Sequence, residues 1–160
     1  MNQIRSTLET DEIVVRTLRA DDLQAVIGLD AKITGRRREE YFRIKLAQSI
    51  ADTGVQISLA AELDNLFAGF LLARVYYGEF GALEPSSVLD AVGVHPGLRG
   101  RGVGHALLHQ LRTNLGGLGI SHLRTEVDWE DQQLLSFFHH EGFVPASRIC
   151  LDLDLRARAD

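Results

Sequence analysis

The stretch HPGLRGRGVG, residues 95–104, places four of the chain's fifteen glycines between an apolar run and a helical pattern. The run before it, Val88 to Val94, reads as a strand. After it Val103, Leu107, Leu108, Leu111 and Leu115 recur at helical spacing until Gly116 and Gly117 stop the helix. A helix that starts here has first-turn amides without intrahelical acceptors, and its aligned peptide dipoles make that end positive. An anion is the natural ligand. Gly100, Gly102 and Gly104 have no Cβ to hold phosphate oxygens away, while Arg99 and Arg101 can reach the same charge. A phosphate-bearing cofactor follows.

Two other phosphate loops fit less well. A P-loop needs Lys and Ser or Thr after its last glycine, and Gly104 is followed by His105 and Ala106. A dinucleotide-binding turn would use an acid about 20 residues on, and Glu126 lies there at the end of the next expected strand. That turn, however, follows its strand at once and reads GxGxxG. Here HPGLR intervenes, the spacing is GxGxG, and there is one strand-helix-strand unit. A purely structural turn explains one or two glycines, but not two arginines alternating with three.

Along the rest of the chain, Ile13 to Leu18 reads as a strand, and Asp21 or Asp22 can cap a helix carrying Leu23, Val26, Ile27 and Asp30. Gly35 breaks that helix, and residues 36–52 resume a helical pattern that Gly54 ends. Val55, Ile57, Leu59 and Ala61 alternate with neighbours as in a half-buried strand. Asp64-Asn65 is a turn, and Leu66 to Tyr77 is the returning strand of a hairpin. Gly93, isolated inside the Val88–Val94 strand, suggests a bulge or a close backbone approach. Residues 118–127 supply another strand, and Leu134, Leu135, Phe138 and Glu141 a short helix closed by Gly142. Ser147 to Leu155 is a last strand, with Ile149, Leu151, Leu153 and Leu155 on one face. Strands joined by a hairpin are antiparallel, whereas Val88–Val94 and 118–127, joined by a helix, are parallel through a right-handed crossover. The fold class is a mixed α/β sheet.

At 160 residues the chain suits one domain, expected over 13–155 between a flexible N-terminus, 1–12, and a charged tail, 156–160. The polar, acidic start lacks a signal-peptide core, and the longest apolar run, Leu66 to Ala73, is too short to span a bilayer. A cytoplasmic protein with no membrane partner is expected. The net charge of −5 argues against a broad nucleic-acid surface. The single cysteine, Cys150, rules out an internal disulfide and reads as a buried strand residue. The histidines lack paired helical spacing with acidic partners, so no metal site is expected.

With the stretch VLDAVGVHPGLRGRGVGHALL, the sequence resembles the GNAT superfamily of N-acetyltransferases. Arg99, Gly102 and Gly104 match the family's R/Q-x-x-G-x-G/A pattern directly after a strand, and the likeness continues through LRTEV (123–127) and FFHHEGF (137–143). The resemblance implies a mostly antiparallel sheet with one central parallel pair flanked by helices. It also implies that the pyrophosphate of acetyl-CoA, or another acyl-CoA, lies on the backbone from Arg99 through Gly100, Arg101, Gly102 and Val103 to Gly104. Val92, Gly93 and Val94 would offer their backbone to the pantetheine amides, and a bulge, placed at Gly93, would splay this strand from its parallel neighbour. An N–H near Val92 would polarise the thioester carbonyl.

By the same resemblance Glu126 is the base that deprotonates the amine, with Asp128 in reserve; its plainer reading is a surface carboxylate or an ion-pair partner for a nearby arginine. The family's thiolate-protonating tyrosine is matched by Phe138, which cannot donate a proton. Tyr76, Tyr77 and His139 are the substitutes on offer. The family's asparagine that touches pantetheine is matched by Asp131, and Phe138 can still pack along the pantetheine arm. The C-terminus is short for the family, which implies an open acceptor pocket or one completed in a homodimer. The run Arg36, Arg37, Arg38 reads either as a clamp for an acidic group or, more plainly, as a solvated helix start balanced by Glu39 and Glu40. Trp129 could border the acceptor or cap the core. The implied activity is transfer of a short acyl group to a primary amine, on a small molecule or a protein. The rival is a non-catalytic acyl-CoA-binding module.

Overall fold

Periodicity and glycine placement decide most of the element order. The computed structural model describes residues 12–51 and 55–157. The expected flexible N-terminus lies outside them up to residue 11, as do the expected helix end at 52–54 and the last tail residues, 158–160. The chain forms two compact units, one ending at Glu126 and the other beginning at Val127. No helix among the described residues is long and apolar enough to cross a membrane.

In the first unit, β1 (Ile13–Thr17), β2 (Leu59–Leu63), β3 (Leu66–Tyr76), β4 (Ser86–Val94) and β5 (Leu123–Thr125) form one sheet in sequence order. β1 to β4 are antiparallel, and β4 and β5 are parallel. The parallel pair requires a long connection, and α3 (Val103–Gly117) lies within it. Asp64 and Asn65 join β2 to β3 with φ of 51° and 62°, the left-handed pair that matches a hairpin's twist.

α1 (Leu23–Thr34) and α2 (Glu39–Ala51) pack against the sheet, burying Val26, Ile27 and Leu29 from one helix and Phe42 and Leu46 from the other. The Phe42 ring meets Phe70 edge-on, 5.7 Å between centroids, in a cluster that includes Leu18, Ala60 and Leu72. α3 buries Val103, Leu107, Leu108, Leu111 and Leu115, and it packs on β1 to β4. β2 therefore differs from the half-buried strand expected from Val55. It begins at Leu59, and Ser58, Leu59, Ala60 and Ala61 are all buried. Ser58 is tolerated inside because its hydroxyl accepts from Ser49 Oγ at 2.8 Å and from the Ala73 N–H at 3.1 Å.

The expected cap of α1 also takes another form. Asp22 makes no side-chain bond to the α1 amides. Its carboxylate accepts from the Arg19 N–H at 2.7 Å and from both Arg16 terminal nitrogens at 2.8 Å. Burial alone would push the Asp22 carboxyl up, but the Arg16 guanidinium and the Arg19 N–H together hold it below the ordinary carboxylate range. The three-arginine run precedes α2 and divides its work. Arg37 pairs with Glu39 on the surface, while Arg38 forms a two-bond pair with the buried Asp30 and lies 5.1 Å from the Tyr41 ring centre. Both arginines are exposed, as the solvated reading expects, but Arg38 is balanced by Asp30 rather than by Glu39 or Glu40.

In the second unit, α4 (Gln132–His140) is capped by Asp131, whose side chain accepts the Leu134 N–H at 3.0 Å. Gly142, at φ 90°, closes it, and the Phe143 N–H returns to the Phe138 carbonyl. The last expected strand does not form. Residues 148–154 have no strand pairing, and Ile149, Leu151, Leu153 and Leu155 are 87%, 89%, 64% and 76% exposed. Alternation selects a face, but a strand also needs a neighbour for its N–H and C=O groups, and none of the five strands supplies one. Cys150 is accordingly exposed rather than buried.

Candidate active site

The glycine loop follows β4 through a short 3-10 turn, Pro96–Leu98, in which His95 Nδ1 accepts the Gly97 N–H at 3.0 Å. Gly100 and Gly102 then adopt φ of 76° and 86°, a conformation open to glycine and costly for most other residues. Nothing lies within 4 Å of a Cβ added at Gly100, so glycine is needed there for its backbone and not for space. The Ala106 N–H makes the first return bond, to the Gly102 carbonyl, which leaves the amides of Val103 and Gly104 ahead of the helical ladder. Arg99, Gly100, Arg101 and Gly102 are exposed, whereas Val103 and Gly104 are buried. The loop is thus an exposed cradle of amides at the positive end of a 15-residue helix.

The helix is held close because Gly69 on β3 lacks a Cβ. One placed there would lie 2.9 Å from Val103 Cγ1 and 2.9 Å from the Gly93 carbonyl oxygen. The missing Cβ lets the start of α3 and the end of β4 both approach β3 closely.

β4 changes character along its length. Ser87, Val88 and Leu89 pair with Leu123, Arg124 and Thr125 of β5, and the pairing ends there. From Asp90 to Val94 no described strand pairs with the edge turned away from β3. The two parallel strands therefore part at Leu89, leaving an open strand edge that leads to the glycine loop. The bulge behind this split is at Asp90, not at Gly93. Opposite β3, Ala73 pairs with Leu89 and Leu72 with Ala91, which leaves Asp90 as the extra residue, while Gly93 pairs regularly with Phe70. Gly93 serves close approach instead, since a Cβ there would lie 2.7 Å from Phe70 Cε1. Asp90 was marked in the sequence only by its charge inside the apolar run VLDAVGV.

The structure brings Val92, Gly93 and Val94 together with the Arg99–Gly104 loop along one end of the first unit. Glu126 follows β5 directly, exposed, with no hydrogen-bond or ion-pair partner among the described residues. Asp131 and Phe138 belong to the second unit. Asp131 caps α4, and Phe138 is 4% exposed with its ring 4.8 Å from that of Phe143. Among the other named residues, Tyr77 and Trp129 are 71% and 88% exposed, so Trp129 does not cap a core.

This combination of a parted parallel strand pair and a left-handed glycine loop can be compared with known proteins. Residues 23–143 match the model of the acetyltransferase (GNAT) family. The chain belongs to that family. No curated protein sequence matches it. Among solved structures, the fold of this GNAT chain is shared with the aminoglycoside N-acetyltransferase AAC(6')-Iy in complex with CoA, at 17% identity and a TM-score of 0.75, over 91% of this chain and 96% of that one. It is shared with a ribosomal-protein-alanine N-acetyltransferase from Brucella melitensis, at 17% identity and TM-score 0.70, over 90% and 99% of the two chains. A transcriptional regulator from Bacillus halodurans aligns at 18% identity and TM-score 0.73, over 90% and 100%.

Proposed function

We propose that this GNAT domain transfers an acetyl or other short acyl group from an acyl-CoA to a primary amine, by direct attack in a ternary complex. The observation that carries this reading is the open edge of β4 leading into a glycine loop at a helix N-terminus. The residues fit the co-substrate. The loop from Arg99 to Gly104 offers amides and two arginines to a pyrophosphate, and the Val92–Val94 backbone offers an unpaired strand edge to pantetheine amides. The thioester supplies the activated carbonyl carbon.

The chain's residues then manage charge and protons. The attacking amine must be neutral, and Glu126, directly or through water, takes the proton it sheds as the C–N bond forms and the C–S bond breaks. An N–H near Val92 stabilises the carbonyl oxygen as it gains charge. Phe138 cannot protonate the leaving thiolate, so that proton comes from solvent or from another side chain. The acceptor is a small molecule or a protein amine. Both kinds occur in the names of proteins that share the fold.

Phe138 favours one other reading, a non-catalytic acyl-CoA-binding module. Release of CoA in the presence of an amine panel separates the two. The enzyme reading expects turnover that Glu126→Gln lowers by about 10²–10⁴-fold. Tight CoA binding without turnover, indifferent to that substitution, would support the module. Thermal protection by NAD and none by CoA would overturn both.

A further inference from the structure

The bulge that parts β4 from β5 is tied down by charge. Asp90 Oδ2 accepts from Arg74 Nε at 2.6 Å and Oδ1 from Arg74 Nη2 at 3.1 Å, and Lys45 Nζ of α2 lies 3.7 Å from Oδ1. Arg74 is opposite Val88 on β3, so the extra residue on β4 is held from the neighbouring strand and from the helix above it. The Asp90 side chain is 14% exposed, and Arg74 and Lys45 are 24% and 22% exposed, so the cluster is only partly screened by water.

The consequence for side-chain placement follows from the strand's period of two. Leu72 and Phe70 belong to the cluster beneath α1 and α2, so their partners Ala91 and Gly93 face the same way, and Ala91 packs against that cluster. Asp90 also points there, since it meets Lys45. Two successive residues on one face mark the bulge, and every residue after it is reversed relative to an unbroken strand. Without the bulge Gly93 would no longer lie over Phe70, and the side chain at position 92 would be driven into that space.

We propose that Asp90 is a positioning residue. Held by Arg74 and Lys45, it fixes the bulge that stops parallel pairing after Leu89 and keeps the Ala91–Val94 edge open for the acyl-CoA. The role in binding rests on the function proposed above, while the role in fixing the edge does not.

Amide hydrogen exchange and CoA calorimetry on Asp90→Asn and Asp90→Glu test it. Asp90→Asn is expected to speed exchange at Ala91–Val94 selectively, with Ser86–Leu89 unchanged, and to weaken CoA binding by about tenfold, the order of one or two lost hydrogen bonds. Asp90→Glu should restore part of both. Arg74→Gln gives a second route to the same pattern if Asp90→Asn fails to fold. Uniformly faster exchange along β4, as a general loss of stability would give, or unchanged exchange at Ala91–Val94, overturns the proposal. If the wild-type chain binds no CoA, the functional reading fails, and selective exchange at Ala91–Val94 still decides whether Asp90 fixes the edge.

Discussion

The two halves of β4 have similar residues and different surroundings. Over Ser87–Leu89 the strand is held on both edges. The Ser87 N–H reaches the His122 carbonyl at 2.9 Å, the Ser87 hydroxyl reaches the Arg74 carbonyl at 3.1 Å, and Thr125 Oγ1 donates to the Leu89 carbonyl at 3.0 Å. Over Asp90–Val94 it keeps only β3. One inserted residue thus turns a scaffold strand into a recognition edge. Exposed edges invite unwanted pairing, and here the open edge is only five residues long and ends in a proline-containing turn.

Four measurements would break or sharpen this contrast, the largest effect belonging to the glycine loop into which the open half leads. Gly102→Val places a β-branched residue at φ 86° and is expected to weaken CoA binding by about 100-fold, through displacement of two amides that each contribute roughly 1.5 kcal/mol. Calorimetry reads the loss, and a circular dichroism spectrum like the wild type's confirms that the sheet is intact. Gly93→Ala follows, at about 2 kcal/mol in chemical denaturation, because its Cβ must displace a buried phenylalanine ring. A neutral result would mean that the open half is loosely packed as well as open on one edge.

A baseline remote from both halves comes from the Arg16–Asp22 pair. Asp22→Asn should cost about 1.5 kcal/mol at neutral pH, the low end of the range for a hydrogen bond to a charged group. Because the fold depresses the Asp22 carboxyl, its contribution is complete above the unfolded-state pKa and is lost as pH falls through the lower folded value. Denaturation curves for variant and wild type should therefore converge in acid. The smallest effect is expected at Thr125→Val, about 1 kcal/mol from the hydroxyl bond to Leu89. CoA affinity should stay at the wild-type value. If Thr125→Val weakened CoA binding as much as Gly102→Val, the closed half would be part of the binding edge and the contrast would fail.

The glycine loop and the parallel pair were legible in the sequence because local signals determine them. Periodicity changes from two to 3.6 across HPGLRGRGVG, and a helix between two strands leaves little choice of direction. The bulge was not legible at its true position, since a one-residue slip depends on what β3 offers opposite. Gly93 drew attention for its missing side chain, whereas the register is broken at Asp90, whose partner Arg74 lies sixteen positions away. The partner of Arg38 was hidden for the same reason, Asp30 being buried on the preceding helix. The C-terminal alternation from Ile149 to Leu155 described a face and could not supply the neighbour that a strand requires.

The exposed thiol of Cys150 has a practical consequence. The chain carries one cysteine, and it lies on the segment that joins no strand. A maleimide fluorophore would attach to every molecule at the same sulfur, with no competing site to mutate away. Its emission would then report the surroundings of that segment, and a change on adding CoA or an amine would show that a ligand reaches it.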